Sequence, residues 1–406
     1  MKLPVMLLLL LHFTLYLSGQ PKIDENIVPL NIADSKATVL QLQPLIDEMG
    51  KHKIVALGEG THGTKEFNDI RISLIKELVE KKGFRIICFE NAFGDTYYLN
   101  QWVNSEKPLR EGMKMGLNSL WQTTEVAGLF EWVRAFNKAH TDKVVIAGMD
   151  FNYQGSTAKI ISDEIKKLKN DDLVSLSGNL MKDALFYDAA WSNQMKDIDR
   201  NTLSASVKNV RTYLLQMDSI IKVHQWPVSE LLQLSINNMK FWCMGEGGRD
   251  KNMARMAIDL AKKDKMLIWA HTVHLALKSP FKNNMVGGCG GYIKQLEPAY
   301  YSLATGTAEG TYGGTADRFN TKSNIMQQYK LPDLKKPGWD EFFAQQKSKA
   351  YFLSLDQLKN DSTALPLRLI GYGVPKGILY SDEMKIAELF DGFIFIKHTT
   401  APDYIP

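Results

Sequence analysis

The spacing of apolar positions changes several times along the chain, and each change marks an element. The chain opens with an apolar run from Leu3 to Leu17, behind Lys2 and ahead of the small residues Ser18 and Gly19. This run is shorter than the roughly 20 apolar residues that cross a bilayer, and Pro4, His12 and Thr14 interrupt it. It predicts a cleaved export signal over residues 1–19, hence a secreted or periplasmic protein with no stable membrane span once the signal is removed. Leu42, Leu45, Ile46 and Met49 are then spaced as on a helix that starts near Pro44. KIVAL (53–57) reads as a buried strand that stops at Gly58. Phe67, Ile70, Leu74, Ile75, Leu78 and Val79 share one helical face, with Gly83 as the cap. FRIICF (84–89) is the next strand and ends in Glu90 and Asn91. Two helices follow, the second over about 124–140, and then a third strand over 143–147 that leads to Gly148, Met149 and Asp150.

Short apolar strands alternating with amphipathic helices predict an α/β fold, with a mainly parallel sheet covered by helices on both faces. Helical spacing alone continues from about Ser156 to Met244, which predicts a helical insertion. The chain thus divides into a first part of the catalytic domain (20–154), the insertion (155–246), a second part (247–310) and a last portion with late strands (311–406). KMLIWA (265–270), YYSLATG (300–306), YFLSL (from 351), LRLIGYG (367–373) and DGFIFIKH (391–398) read as strands. EGTYGGTAD reads as a loop, and GGCGGY (287–292) as a mobile loop or a close approach to substrate.

Composition narrows the classes. Lys+Arg 49 against Asp+Glu 45 leaves a net charge of +4 over 406 residues. Basic runs at 166–169 and 262–265 carry no interleaved aromatic residues, so no nucleic-acid partner is expected. Three cysteines, at 88, 243 and 289, make no disulfide framework. The pattern fixes no oligomeric state.

Ligands of parallel sheets gather beyond the carboxyl ends of the strands. Glu59 and His62, Glu90, Asp150, and His271 and His274 all fall at such ends. A carboxylate three residues from an imidazole, in a glycine-rich turn, can fix the ring's tautomer and raise its basicity. His271 and His274 have i, i+3 spacing at a helix start and can bind metal, move protons or orient a carbonyl. Glu90 is a second carboxylate for the cleft. Arg71 and Arg249 can meet a substrate carboxylate or an oxyanion, and Asp250 suits an N-cap. Metal ligation by His62, His271, His274 and Glu59, metal-free acid–base work and plain ligand binding by an exported protein all fit this inventory. No GxSxG elbow, phosphate-binding GxxxxGK[ST] loop or HExxH pair occurs. Trp121, Trp242 and Trp269 suit core packing, Cys289 lacks an evident base, and His398 is a marginal candidate.

With these residues in view, the chain resembles the erythromycin esterase family. The matching segments are ALGEGTHGTKEFNDIR (56–71), GFRIICFE (83–90), VVIAGMD (144–150), RDKNMA (249–254) and LIWAHTVH (267–274). The resemblance implies a parallel-sheet domain with a helical insertion and a smaller second α/β portion. It implies hydrolysis of a small-molecule ester or lactone by base-activated water, with no cofactor and no metal. Esterases of the family open macrolide lactones, which confers antibiotic resistance. His62 matches the family's base and Glu59 its neighbouring carboxylate. Glu90 and His271 join them as catalytic candidates, with Arg71, His274 and Arg249 as substrate-binding ones. Thr272 stands where the family commonly has asparagine, which alters the polarity of the cleft.

Overall fold

The computed structural model describes residue 23 and residues 27–192, 199–284, 286–317, 322–374 and 376–405. The expected export signal lies outside them. Eleven strands appear among the described residues: β1 Ile27–Pro29, β2 Ile54–Glu59, β3 Phe84–Ala92, β4 Val145–Asp150, β5 Lys265–His271, β6 Tyr300–Gly314, β7 Gln327–Lys330, β8 Ala350–Ser354, β9 Arg368–Ile370, β10 Ile378–Tyr380 and β11 Gly392–Thr399. One sheet runs β1-β8-β11-β6-β2-β5-β3-β4, with β7 paired to β6, and β9 and β10 form a separate hairpin. From β11 to β4 the pairs are parallel, while β1, β7 and β8 pair antiparallel.

Period-two alternation splits the apolar residues of each central strand between two cores. Val55, Leu57, Ile87, Phe89, Leu267 and Trp269 face one, with helices Lys65–Lys82 and Thr124–Ala139 packed against it. Ile54, Ala56, Ile86, Cys88, Met266 and Ile268 face the other, under helix Gly248–Leu260. Burying each of the Val, Leu, Ile, Phe and Met side chains among them is worth about 1.5–3 kcal/mol. Helix Lys65–Lys82 ends on Gly83 in the left-handed conformation, the expected cap. Between β4 and β5 the elements among the described residues are all helices, from Gly155–Lys166 to Gly248–Leu260. Residues such as Ile161, Leu180, Val210, Leu214 and Met239 give this region a core of its own.

Two expectations fail. β6 runs on to Gly314 through most of the EGTYGGTAD stretch, because β7 pairs with its far end and satisfies the backbone there. GGCGGY is not a mobile loop: Cys289–Leu296 is a helix. Its glycines serve close approach, since a Cβ at Gly291 would stand 2.0 Å from the Leu277 carbonyl oxygen. Gly291→Ala is therefore expected to lower stability by about 1–3 kcal/mol through overpacking, read from the urea midpoint. An unchanged midpoint would contradict this packing.

Candidate active site

The carboxyl ends of β2, β5, β3 and β4 lie side by side in that order. They present Glu59, His271, Glu90 and Asp150, and Glu59 is the register partner of His271. At Glu90 and Asn91 the register of β3 against β4 shifts, the kind of irregularity that re-aims a side chain.

Glu59 is fully buried and accepts from three side chains. Its Oε1 takes His62 Nδ1 at 2.6 Å and Trp121 Nε1 at 3.0 Å, and its Oε2 takes Arg71 Nη2 at 2.5 Å. Burial pushes this carboxyl up, but Arg71 and His62 outweigh it and bring it down to about 2. An ionised carboxylate only accepts, so His62 Nδ1 carries the proton, and in the neutral ring Nε2 is bare. Nε2 has no hydrogen-bond partner among the described residues, and His62 lines a cavity of about 640 Å³.

Arg71 does not reach that cavity. It is 1% exposed, bonds Glu59, Asn68 and the Phe67 carbonyl, and lies 4.0 Å over the Trp269 ring. Its expected contact with substrate is replaced by neutralisation of Glu59.

A second network holds Glu90, Asp150, Asp250, Arg249 and His274. Arg249 grips Asp150 through two bonds of 2.9 and 2.6 Å and reaches Glu90 at 2.8 Å. His274 lies between Asp250 at 2.6 Å and Glu90 at 3.1 Å. Burial works against charge on His274, but Glu90 and Asp250 prevail and raise it to about 10. His274 is thus an imidazolium at neutral pH. Its 3.1 Å contact with Arg249 Nη1 joins two cations that share Glu90 Oε1, and is not a donor–acceptor pair. Burial pushes Glu90 up, yet His274 and Arg249 hold it well below the carboxylate range. Glu90 is an ionised anchor and is placed to hold cations, not to donate a proton.

His271 links the two networks. Its backbone N–H donates to Glu90 at 2.9 Å, and its ring lies 4.6 Å from that of His62. Burial, with His62 adding to it, pushes its imidazolium down to about 3, so the ring is neutral. Its Nδ1 accepts from the Val273 N–H, which leaves Nε2–H to face the Ile370 carbonyl at 3.2 Å. Both ring nitrogens are engaged.

The run Gly58-Glu59-Gly60-Thr61-His62-Gly63 has G-x-G-x-x-G spacing, which elsewhere cradles a pyrophosphate. Here protein fills the space: a Cβ at Gly60 would stand 2.3 Å from the Thr305 carbonyl oxygen, and the His62 N–H donates to Ile370. Among the described residues no three His, Cys, Asp or Glu side chains are arranged to hold a metal ion. His62 Nδ1 and both nitrogens of His271 and His274 are already bound to protein. The metal-dependent alternative therefore has no geometric support. Cys289 is buried, and burial raises its thiol well above the usual range. His398 is exposed on β11, away from the cavity.

Sequence reasoning underrated three residues. Trp121 shares Glu59 Oε1 with His62, and nothing in a lone tryptophan signals that bond. Asp150, read only as a strand-end residue, and Asp250, read as an N-cap, are the counter-ions of Arg249 and His274. Their places at a strand end and a helix start were the available signals.

The profile of the erythromycin esterase family matches residues 79–399, and the chain belongs to that family. The match begins after Glu59 and His62, so the case for that pair rests on its geometry. A putative hydrolase of Bacillus subtilis, YbfO, is 25% identical over 287 residues, 62% of each chain. Erythromycin esterase type II from Escherichia coli is 23% identical over 57% of this chain and 63% of its own. The chain thus spans about six tenths of the length of these curated relatives. A crystal structure of a Bacillus cereus protein superposes with a TM-score of 0.77 at 18% identity, covering 95% of this chain and 98% of that one. An erythromycin esterase mutant in its open conformation gives 0.69 at 14% identity, covering 93% and 99%. At these identities the superpositions establish the fold.

The protonation of His274 has a consequence for stability. Its pKa is about 10 in the folded chain against an ordinary 6.5, so the folded state binds this proton more tightly than the unfolded one. The gain is full below pH 6.5 and is lost as pH rises from 6.5 to 10. The stability difference between the wild type and His274→Gln, measured by urea denaturation, is expected to shrink across that window. A constant difference would contradict the assigned charge.

Proposed function

We propose that this family member hydrolyses a carboxylic ester or lactone of a small molecule, with His62 as general base on water. One observation carries the reading. His62 is tied through Nδ1 to an ionised Glu59, and its unpartnered Nε2 belongs to a ring that lines the cavity.

In the proposed reaction a water gives its proton to His62 Nε2 as its oxygen bonds to the ester carbonyl carbon. The carbonyl π electrons move to oxygen. Arg249 and His274, both cationic and both in the cavity wall, are placed to stabilise that oxyanion. Collapse of the tetrahedral species breaks the acyl C–O bond, and His62 returns the proton to the leaving alkoxide. The products are an acid and an alcohol, or a ring-opened hydroxy acid from a lactone. Glu59 stays ionised throughout and steadies the imidazolium that forms. His271, neutral and packed against His62, adds no competing charge.

The donors support a metal-free scheme: each nitrogen of the cavity imidazoles, apart from His62 Nε2, already has a protein partner. The purified protein is expected to hydrolyse p-nitrophenyl acetate, and His62→Ala to lose about 10²–10⁴-fold in kcat. Trp121→Phe keeps the ring but removes the N–H to Glu59, and a smaller loss is expected. Equal rates for the wild type and His62→Ala would overturn the assignment. Stoichiometric zinc in protein purified without added ions would replace it with a metal-dependent mechanism.

A further inference from the structure

The catalytic cavity does not end at its polar wall. A second chamber of about 250 Å³ adjoins it and shares Asn152, Trp191 and Arg249 with it. The hydrolytic scheme makes no use of this space.

Its walls are aromatic. Tyr187, Trp191, Phe241 and Trp242 line it, from the helices Asp171–Trp191 and Glu230–Met244. The Trp191 and Tyr187 rings lie 8° from parallel with centroids 6.4 Å apart, and Tyr187 meets Trp242 edge-on at 4.7 Å. Trp191 is 42% exposed, whereas Trp121 and Trp269 are fully buried. Trp191 thus keeps exposed aromatic surface at the junction of the two chambers.

The polar groups around it restrict what that face can meet. Asn152 is half-buried, lines both chambers and has no hydrogen-bond partner among the described residues. The Asn252 amide is already spent on the Gly248 carbonyl and Arg255. The Arg249 charge is matched by Asp150 and Glu90. The nearby Asp188 carboxylate accepts from the Gln154 and Gly155 N–H groups. The chamber therefore offers aromatic faces and one unpaired amide, with no unmatched charge of either sign. A cation would find no free carboxylate in the lining, and an anion would compete with Asp150 and Glu90 for Arg249. A purely alkyl group would cover the Asn152 amide and leave it unpaired, which costs about 1–3 kcal/mol. A neutral hydroxylated ring satisfies both features, with C–H bonds on the Trp191 face and a hydroxyl on the amide.

We propose that this chamber binds a sugar-type ring of the substrate, joined to the ester whose carbonyl is presented to His62. The proposal rests on the hydrolytic reading for that second clause only. Trp191 and Asn152 become specificity-determining residues, the first supplied by the helical segment between β4 and β5.

Two measurements test it, one of them independent of turnover. Calorimetry with methyl glycosides of glucose, galactose and rhamnose is expected to show binding of at least one. Trp191→Ala should weaken that binding at least tenfold, Trp191→Phe less than threefold, and Asn152→Ala several-fold. In hydrolysis, kcat/KM for 6-O-acetylglucose over ethyl acetate should fall at least tenfold in Trp191→Ala, through KM. Glycoside binding that depends on Trp191 in a protein without His62-dependent hydrolysis would keep the chamber's assignment while the esterase reading fails. The proposal is overturned if no glycoside binds, if cyclohexanol binds as tightly as the glycosides, or if Trp191→Ala leaves glycoside affinity unchanged.

Discussion

A fully buried carboxylate must be surrounded by donors or lose its charge, and the arrangement around Glu59 follows from that constraint. Arg71 comes from the helix after the loop, Trp121 from a turn between helices, and His62 from the loop itself. Each is held where it can donate to Glu59. The turn carrying Trp121 is fixed in turn by Asn91, whose side chain bonds the Gly116 carbonyl and the Asn118 N–H. The orientation of the proposed base is thus set by burial of its partner, through elements more than sixty residues apart.

The second network uses the same physics to a different end. Glu90, Asp150 and Asp250 hold Arg249 and His274 as permanent cations beside the cavity. With Glu59 and Arg71 included, four carboxylates face three cations across the two networks. His62 and His274 are both histidines near strand ends, yet their partners give them opposite roles. One has an unpartnered Nε2 on a ring that lines the cavity, and the other is saturated and charged.

Much of this was legible in the sequence, and the gaps have physical causes. The alternation of strands and helices gave the parallel sheet, and strand ends pointed to Glu59, Glu90 and His271. Strand order was not legible: β5 inserts between β2 and β3, and only that insertion sets His271 beside both Glu59 and Glu90. Arg71 looked available to substrate because helical spacing does not reveal how deeply a side chain is buried. The helix Cys289–Leu296 was hidden by glycines that serve close packing against Leu277. The G-x-G-x-x-G spacing around Glu59 would suit a nucleotide loop, but Thr305 packs against Gly60 and the His62 N–H is given to Ile370. Asn152 and Trp191 carried no sequence signal, since their significance lies in what they share across two chambers.

An ionised Glu59 fixes His62 with its proton on Nδ1 and leaves Nε2 bare on a ring that lines the cavity. Nitrogen-15 NMR of the imidazole rings tests it most directly. The chain has eight histidines, and the His62 signals are those missing from His62→Gln. The account predicts that the neutral ring is in the Nδ1–H form, with Nε2 unprotonated, and that Glu59→Gln disturbs this preference. A neutral His62 found in the Nε2–H form would contradict it.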